Sequence, residues 1–64
     1  MSNADRFELA NRADLLQEVC KTLRQDRNFW LRQKDFKRVA ELRRRIRLAE
    51  ERLASVMWAV AQAA

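Results

Sequence analysis

Apolar residues recur along this chain at alternating intervals of three and four, and the recurrence changes frame once, near its middle. The first stripe ends at Trp30, and continuing its spacing leads only to charged residues such as Lys34, Lys37 and Glu41. A period of 3.5 residues is typical of helices that pack along a narrow seam. Because one uninterrupted helix would turn its stripe away from its own continuation, the sequence predicts two helices.

The two stripes match when the chain folds back between Lys34 and Asp35. The first stripe consists of Leu9, Ala13, Leu16, Cys20, Leu23, Arg27 and Trp30. The second consists of Val39, Leu42, Ile46, Ala49, Leu53, Val56, Val60 and Ala63. In an antiparallel hairpin Cys20 then faces Ala49 near the middle, and Trp30 faces Val39 beside the turn. The predicted fold is an all-α, coiled-coil-like, antiparallel two-helix hairpin, which we expect to dimerise into a four-helix bundle.

Capping residues set the expected bounds at helix 1 about 5–32, turn 33–35 and helix 2 about 36–62. Asp35 is the predicted N-cap of the second helix, because its carboxylate can accept hydrogen bonds from free N–H groups. The candidate N-caps of the first helix are Ser2, Asn3 and Asp5. The chain has no glycine, so the turn lacks the residue that usually ends a helix in a left-handed conformation.

The 64 residues are enough for one small domain. Ser2, Asn3 and Ala4 match a scar that tag cleavage commonly leaves, so residues 1–4 are interpreted as a tag scar or a disordered N-terminus. Residues 5–64 form the single hairpin domain. The start lacks the apolar run of a secretory signal, and the apolar-rich run 53–64 is shorter than the roughly 20 residues that span a bilayer. We expect a cytoplasmic protein without a membrane span.

The missing residue types argue against catalysis. The chain has no histidine, no glycine for a phosphate-binding loop and a single cysteine. Cys20 lies on the predicted seam, where a small thiol packs as an apolar group. We therefore expect no enzyme, no catalytic residue, no cofactor, no metal and no small-molecule substrate.

The net charge of +5 belongs to residues 32–52, since the segments on either side are neutral overall. The densest basic run contains Arg43, Arg44, Arg45 and Arg47. Clustered arginines can bind phosphate groups, so these four are candidate anion or nucleic-acid contacts. The alternative is a solvated face with ordinary ion pairs along each helix. The spacing predicts three such pairs, namely Glu8–Arg12, Glu41–Arg45 and Arg47–Glu50. The solvated face is the favoured interpretation.

Apolar residues outside the seam indicate binding to another protein. These residues are Phe7, Leu15, Val19, Phe29, Leu31, Phe36, Leu48, Met57 and Trp58. The run 53–64 has only Ser55 and Gln62 as polar side chains, and a helix that is apolar all round is normally buried. The predicted partner interface comprises Leu53, Val56, Met57, Trp58, Val60 and Phe7. Trp30, by contrast, is predicted to pack in the seam.

Residues 35–46, Asp-Phe-Lys-Arg-Val-Ala-Glu-Leu-Arg-Arg-Arg-Ile, resemble the UVR domain. The matching positions are Asp35, Phe36, Ala40, Leu42, Arg43 and Ile46, and basic residues replace the usual acidic ones at positions 37 and 44. The resemblance implies a short helical hairpin that contacts partner proteins, as in nucleotide-excision-repair subunits and some Clp-related proteins.

In size, hairpin form and apolar C-terminus the chain is also similar to the small co-chaperones of type III secretion needle proteins. The leading functional prediction is a small, non-enzymatic protein–protein interaction module that self-associates or binds a partner through the apolar end of helix 2. The alternatives are a co-chaperone of a small helical client and an Arg-rich nucleic-acid-binding protein.

Overall fold

The computed structural model describes residues 3–63, with side chains from residue 4 to residue 62. These residues form two helices, α1 (Asn3–Arg32) and α2 (Phe36–Ala63), joined by a short turn. The two helices lie side by side as a hairpin that measures 48 × 14 × 11 Å. The described residues contain no strand, so the predicted all-α hairpin is confirmed.

The helix bounds differ from the predicted ones only at the chain ends. Helix α1 begins at Asn3, so Asn3 and Ala4 belong to its first turn. Asp5 also lies within that turn and not ahead of it. In this position its negative charge interacts favourably with the helix dipole. Ser2, the remaining candidate N-cap, lies outside the described residues together with residues 1 and 64.

The core follows the predicted seam. The buried apolar residues are Ala13, Cys20, Val39, Leu42, Ile46 and Ala49, of which Cys20 is the most completely buried. The half-buried residues of the two stripes are Leu9, Leu16, Leu23, Arg27, Trp30, Leu53, Val56 and Val60. Every stripe residue whose side chain is described is thus at least half-buried, which confirms both stripes. The side chain of Ala63, the last member of the second stripe, lies outside the described residues.

Contacts between the helices agree with the predicted pairing. Leu16 lines the same groove as Arg52 and Val56, as expected if Leu16 faces the part of α2 that contains these two residues. On the other side of the seam, Arg24 of α1 donates a hydrogen bond of 2.9 Å to Glu50 of α2. This bond raises the pKa of the Arg24 guanidinium above its usual value, because it stabilises the charged form.

The turn ends α1 without a glycine by placing a lysine in a left-handed conformation. Lys34 has a φ of 58°. The N–H of Asp35 donates to the carbonyl of Trp30 at 3.0 Å, and the N–H of Lys34 donates to the carbonyl of Leu31 at 3.1 Å. This pair of bonds is a Schellman motif, which satisfies the last carbonyl groups of a helix. A side chain with a Cβ makes this conformation about 1–2 kcal/mol less favourable than it is for glycine.

We expect Lys34→Gly to raise the free energy of unfolding by about 0.5–1 kcal/mol, since the relief of backbone strain exceeds the entropy that glycine adds to the unfolded chain. Urea unfolding followed by circular dichroism at one fixed protein concentration measures the change. The matched control is Gln33→Gly, because Lys34 is the one described residue with a positive φ. The control is expected to lower the unfolding midpoint, and a similar fall for Lys34→Gly would contradict the prediction.

Asp35 caps α2 as predicted. Its Oδ1 accepts a hydrogen bond of 3.2 Å from the backbone N–H of Arg38, and its carbonyl accepts the first helical bond, from Val39. The guanidinium of Arg38 lies 3.3 Å from the other carboxylate oxygen and 4.0 Å from the centre of the Trp30 ring. An N-cap of this kind contributes about 1 kcal/mol to the free energy of unfolding. The Schellman motif therefore ends α1, and the Asp35 cap begins α2.

Candidate protein-interaction surface

The hairpin leaves much of its apolar side-chain area uncovered. The exposed large apolar residues are Phe7, Leu15, Val19, Phe29, Leu31, Phe36, Leu48, Met57 and Trp58. They are the same residues that the sequence places outside the seam, so this prediction is confirmed. Single exposed apolar residues are normal on a protein surface, whereas a contiguous patch marks an interaction site. The arrangement of these residues therefore decides which surface is the candidate interaction site.

At the open end of the hairpin, away from the turn, the six predicted interface residues divide into two groups. Leu53, Val56 and Val60 lie in the seam and are half-buried. Phe7, Met57 and Trp58 are exposed, and Trp58 keeps 67% of its surface accessible. We refer to these three exposed residues together as the open-end cluster, a name for their shared position at this end of the hairpin and not for a contact among them.

Helix geometry explains why Trp58 is exposed. It is five residues beyond Leu53, so at 100° per residue it points about 140° away from the seam. Packing of α1 against α2 cannot cover a side chain in that direction. The seam beside it is also only half-covered, because Leu53, Val56 and Val60 are less buried than Ile46 and the other central core residues.

A second apolar surface runs along one side of the hairpin, between its two helices. Leu15 and Val19 of α1 and Leu48 of α2 are exposed along it, while Leu16 and Leu23 are half-buried at its floor. Its widest part has a volume of about 630 Å³. The residues that line this part are Arg12, Leu15, Leu16, Leu48, Glu51, Arg52, Ser55 and Val56. We call this surface the side groove. The sequence predicts that the exposed residues of this groove lie off the seam, but it does not indicate that they share one side.

Charged residues along the side groove differ in how well they are paired. Arg12 and Arg45, which line it, bind glutamates four residues earlier in their own helices at 3.0 and 2.9 Å. Arg52 has no ion-pair partner among the side chains described. Glu51, beside it, lies 3.9 Å from Arg47, which is at the limit for an ion pair. The middle of the groove therefore holds one unpaired and one weakly paired charge.

The four candidate anion-binding arginines are only partly available. Arg45 binds Glu41 at 2.9 Å, as predicted, and Arg47 lies 3.9 Å from Glu51. Arg43 and Arg44 have no ion-pair partner among residues 4–62.

One of the three predicted intrahelical pairs is wrong, while Glu8–Arg12 and Glu41–Arg45 are confirmed. Glu50 does not bind Arg47. It binds Arg24 on the other helix instead, and Arg47 lies near Glu51 at the i, i+4 spacing. Position 50 flanks the seam, so its carboxylate reaches α1 as readily as its own helix.

Outside these surfaces, the residues that could take part in catalysis or ligand binding pack in the seam. The thiol of Cys20 is free and buried, with 1% of the residue exposed. Trp30 lies in the seam as predicted, with the Phe29 ring edge-on at 4.9 Å. No group of three or more histidine, cysteine, aspartate or glutamate side chains that could hold a metal ion occurs among the described residues.

Comparison of the chain with protein-family models, curated proteins and solved structures finds no match in any of the three. The UVR-like pattern therefore stays a prediction that rests on residues 35–46. Neither α1 nor α2, over the part of the chain described, is long and apolar enough to cross a membrane.

Proposed function

We propose that this chain is a small, non-enzymatic protein-interaction module that binds a helical protein through the open end of its hairpin. The observation that carries the proposal is the open-end cluster beside a seam that is only half-covered there. A helix whose surface is apolar in every direction is stable in water only when something covers it. Residues 53–62 come close to that composition, with Ser55 and Gln62 as the only polar side chains, and Met57 and Trp58 are exposed there.

The chemistry of the open-end cluster supports binding to a protein. Trp58 supplies a large aromatic surface, and Met57 is a flexible thioether that adapts to the shape of a partner. Tryptophan and methionine are both enriched in the cores of protein interfaces, where charged residues are depleted. Residues 53–62 contain no charged side chain. The occupant is either a different helical protein or a second copy, which would complete a four-helix bundle.

Binding to nucleic acid has weaker support. Two of the four candidate arginines lie near glutamates of their own helix, so only Arg43 and Arg44 offer unpaired guanidinium groups. Single-stranded nucleic acids are usually held by aromatic side chains interleaved with basic ones, and the run 43–47 has no aromatic residue.

The decisive experiment uses the wild-type chain, Trp58→Glu and Gln62→Glu as immobilised baits in extracts of the source organism. Both variants add one negative charge at the same exposed end, but only the first removes an apolar contact. We expect a helical partner that wild type and Gln62→Glu retain and Trp58→Glu loses. In a Trp30→Phe background, the emission of Trp58 should shift to the blue when that purified partner is added. Equal retention by all three baits, or an emission that does not move, would contradict the proposal.

A further inference from the structure

The hairpin exposes more surface than a compact protein of its mass. Its accessible surface is 5279 Å², whereas a folded monomer of 7.7 kDa exposes about 4,300 Å². The excess of roughly 950 Å² is close to the ~800 Å² that each partner buries in a standard stable interface. A single interface of ordinary size would therefore bring each chain to the surface area that its mass predicts.

The side groove is the place where such an interface buries apolar area from both helices at once. We propose that a second copy of this chain packs on the side groove in antiparallel orientation, so that Leu15, Val19 and Leu48 of each copy form the core of a four-helix dimer. These residues are 67%, 46% and 52% exposed in the single hairpin. The open-end cluster takes no part in this contact and stays free for a different protein.

The distribution of charge selects the antiparallel orientation. The whole net charge of +5 lies within residues 32–52, toward the turn. A parallel dimer would place two such regions side by side. An antiparallel dimer places them on opposite sides of its centre, so that they extend toward opposite ends of a hairpin about 48 Å long. At about 1.5 Å per residue, the basic residues of segment 32–47 then lie farther from their counterparts in the other copy than the Debye length of about 8 Å at physiological salt, so their repulsion is largely screened.

The middle of the groove contains complementary charges for a second copy. The two-fold axis of this dimer runs perpendicular to the helices, in the plane between the two copies. It reverses the direction of the second copy and places α1 opposite α1 and α2 opposite α2. Arg52 and Glu51 are adjacent and lie level with the centre of the groove, so Arg52 of each copy comes next to Glu51 of the other. Arg52 has no other ion-pair partner among the described side chains, and Glu51 has only Arg47, at 3.9 Å. The second copy thus supplies a partner for both charges.

Sedimentation equilibrium of the purified chain and four variants tests this dimer. We expect wild type to be a dimer, and Leu48→Glu to weaken dimerisation at least about tenfold because it places a charge in the apolar contact. Arg52→Glu should also weaken it, and the double variant Glu51→Arg with Arg52→Glu should restore it by exchanging the two charges. Met57→Glu, on the other side of the seam, is the matched control and should stay dimeric.

The fold of each variant is checked by its helical circular dichroism, and all four substitutions are at exposed positions. A monomeric wild type would overturn the proposal, as would a dimer that Met57→Glu disrupts and Leu48→Glu leaves intact. Failure of the charge exchange to restore the dimer would overturn the antiparallel orientation. A dimer that Met57→Glu disrupts would assign the second copy to the open end, which the proposed function allows. Capture of a different protein through Trp58 is measured separately, so this proposal and the proposed function can fail separately.

Discussion

Ile46→Ala is expected to lower the free energy of unfolding by about 2–5 kcal/mol, the range measured when a buried isoleucine is truncated and a cavity remains. Ile46 is 6% exposed, and the predicted pairing places it on the seam opposite Leu23. A core this small rarely contributes more than about 3–5 kcal/mol in total. We therefore expect the variant to be largely unfolded at 25 °C.

Thermal and urea unfolding, followed by circular dichroism at a fixed protein concentration, measure this effect. Because Ile46→Ala is expected to leave no folded baseline, Ile46→Val provides a graded test with an expected loss of about 0.5–1.5 kcal/mol. The control is Arg44→Ala, an exposed position in the same helix, which should change stability by no more than about 0.5 kcal/mol. An Ile46→Ala variant as stable as this control would show that the seam is not the main core.

The hairpin could be predicted from sequence because its seam is a one-dimensional pattern. The apolar period specifies which side of each helix is buried, and the break in frame after Trp30 specifies where the chain reverses. The Asp35 cap also has a local sequence signature and was predicted. The sequence does not predict the left-handed conformation of Lys34, because the residue that ends a helix in this conformation is usually glycine. The end of α1 depends on the hydrogen bonds of the whole turn rather than on the preference of one residue.

The side groove was harder to predict because it is built from both helices. Leu15 and Val19 lie off the seam of α1, and Leu48 lies off the seam of α2. Each helix alone gives no reason to place the three residues on one side. The signal that could have found them is the pairing itself, because in an antiparallel pair the same flank of each seam lies on the same side. The Arg24–Glu50 bond was missed for the same reason.

The predicted interface at residues 53–60 combined two roles that the structure separates. Composition alone shows an apolar segment, but it does not show which of its residues the hairpin itself covers. Leu53, Val56 and Val60 pack along the seam, whereas Met57 and Trp58 are exposed. The proposed function rests on the half-covered seam and the exposed pair together.

Ala49→Leu is expected to lower the free energy of unfolding by about 1–3 kcal/mol, because it forces a larger side chain into a closely packed contact. Cys20 and Ala49 are 1% and 7% exposed, and the predicted pairing of the stripes places them at the same level of the two helices. Two small side chains at one level let the helices approach each other closely. A leucine there has to push the helices apart or adopt a strained rotamer. Urea unfolding of the variant, beside Ala40→Leu at an exposed position, separates crowding from helix propensity.

A double-mutant cycle tests whether this crowding is specifically against Cys20. Cys20→Ala alone is expected to cost about 1 kcal/mol, because it removes one buried heavy atom. In the Ala49→Leu background the same change provides space for the leucine, so it should cost less or should stabilise the chain. A favourable coupling energy of at least about 0.5 kcal/mol is the expected result for residues in contact. Additive effects would mean that Cys20 and Ala49 do not face each other, and the pairing along the whole seam would then need revision.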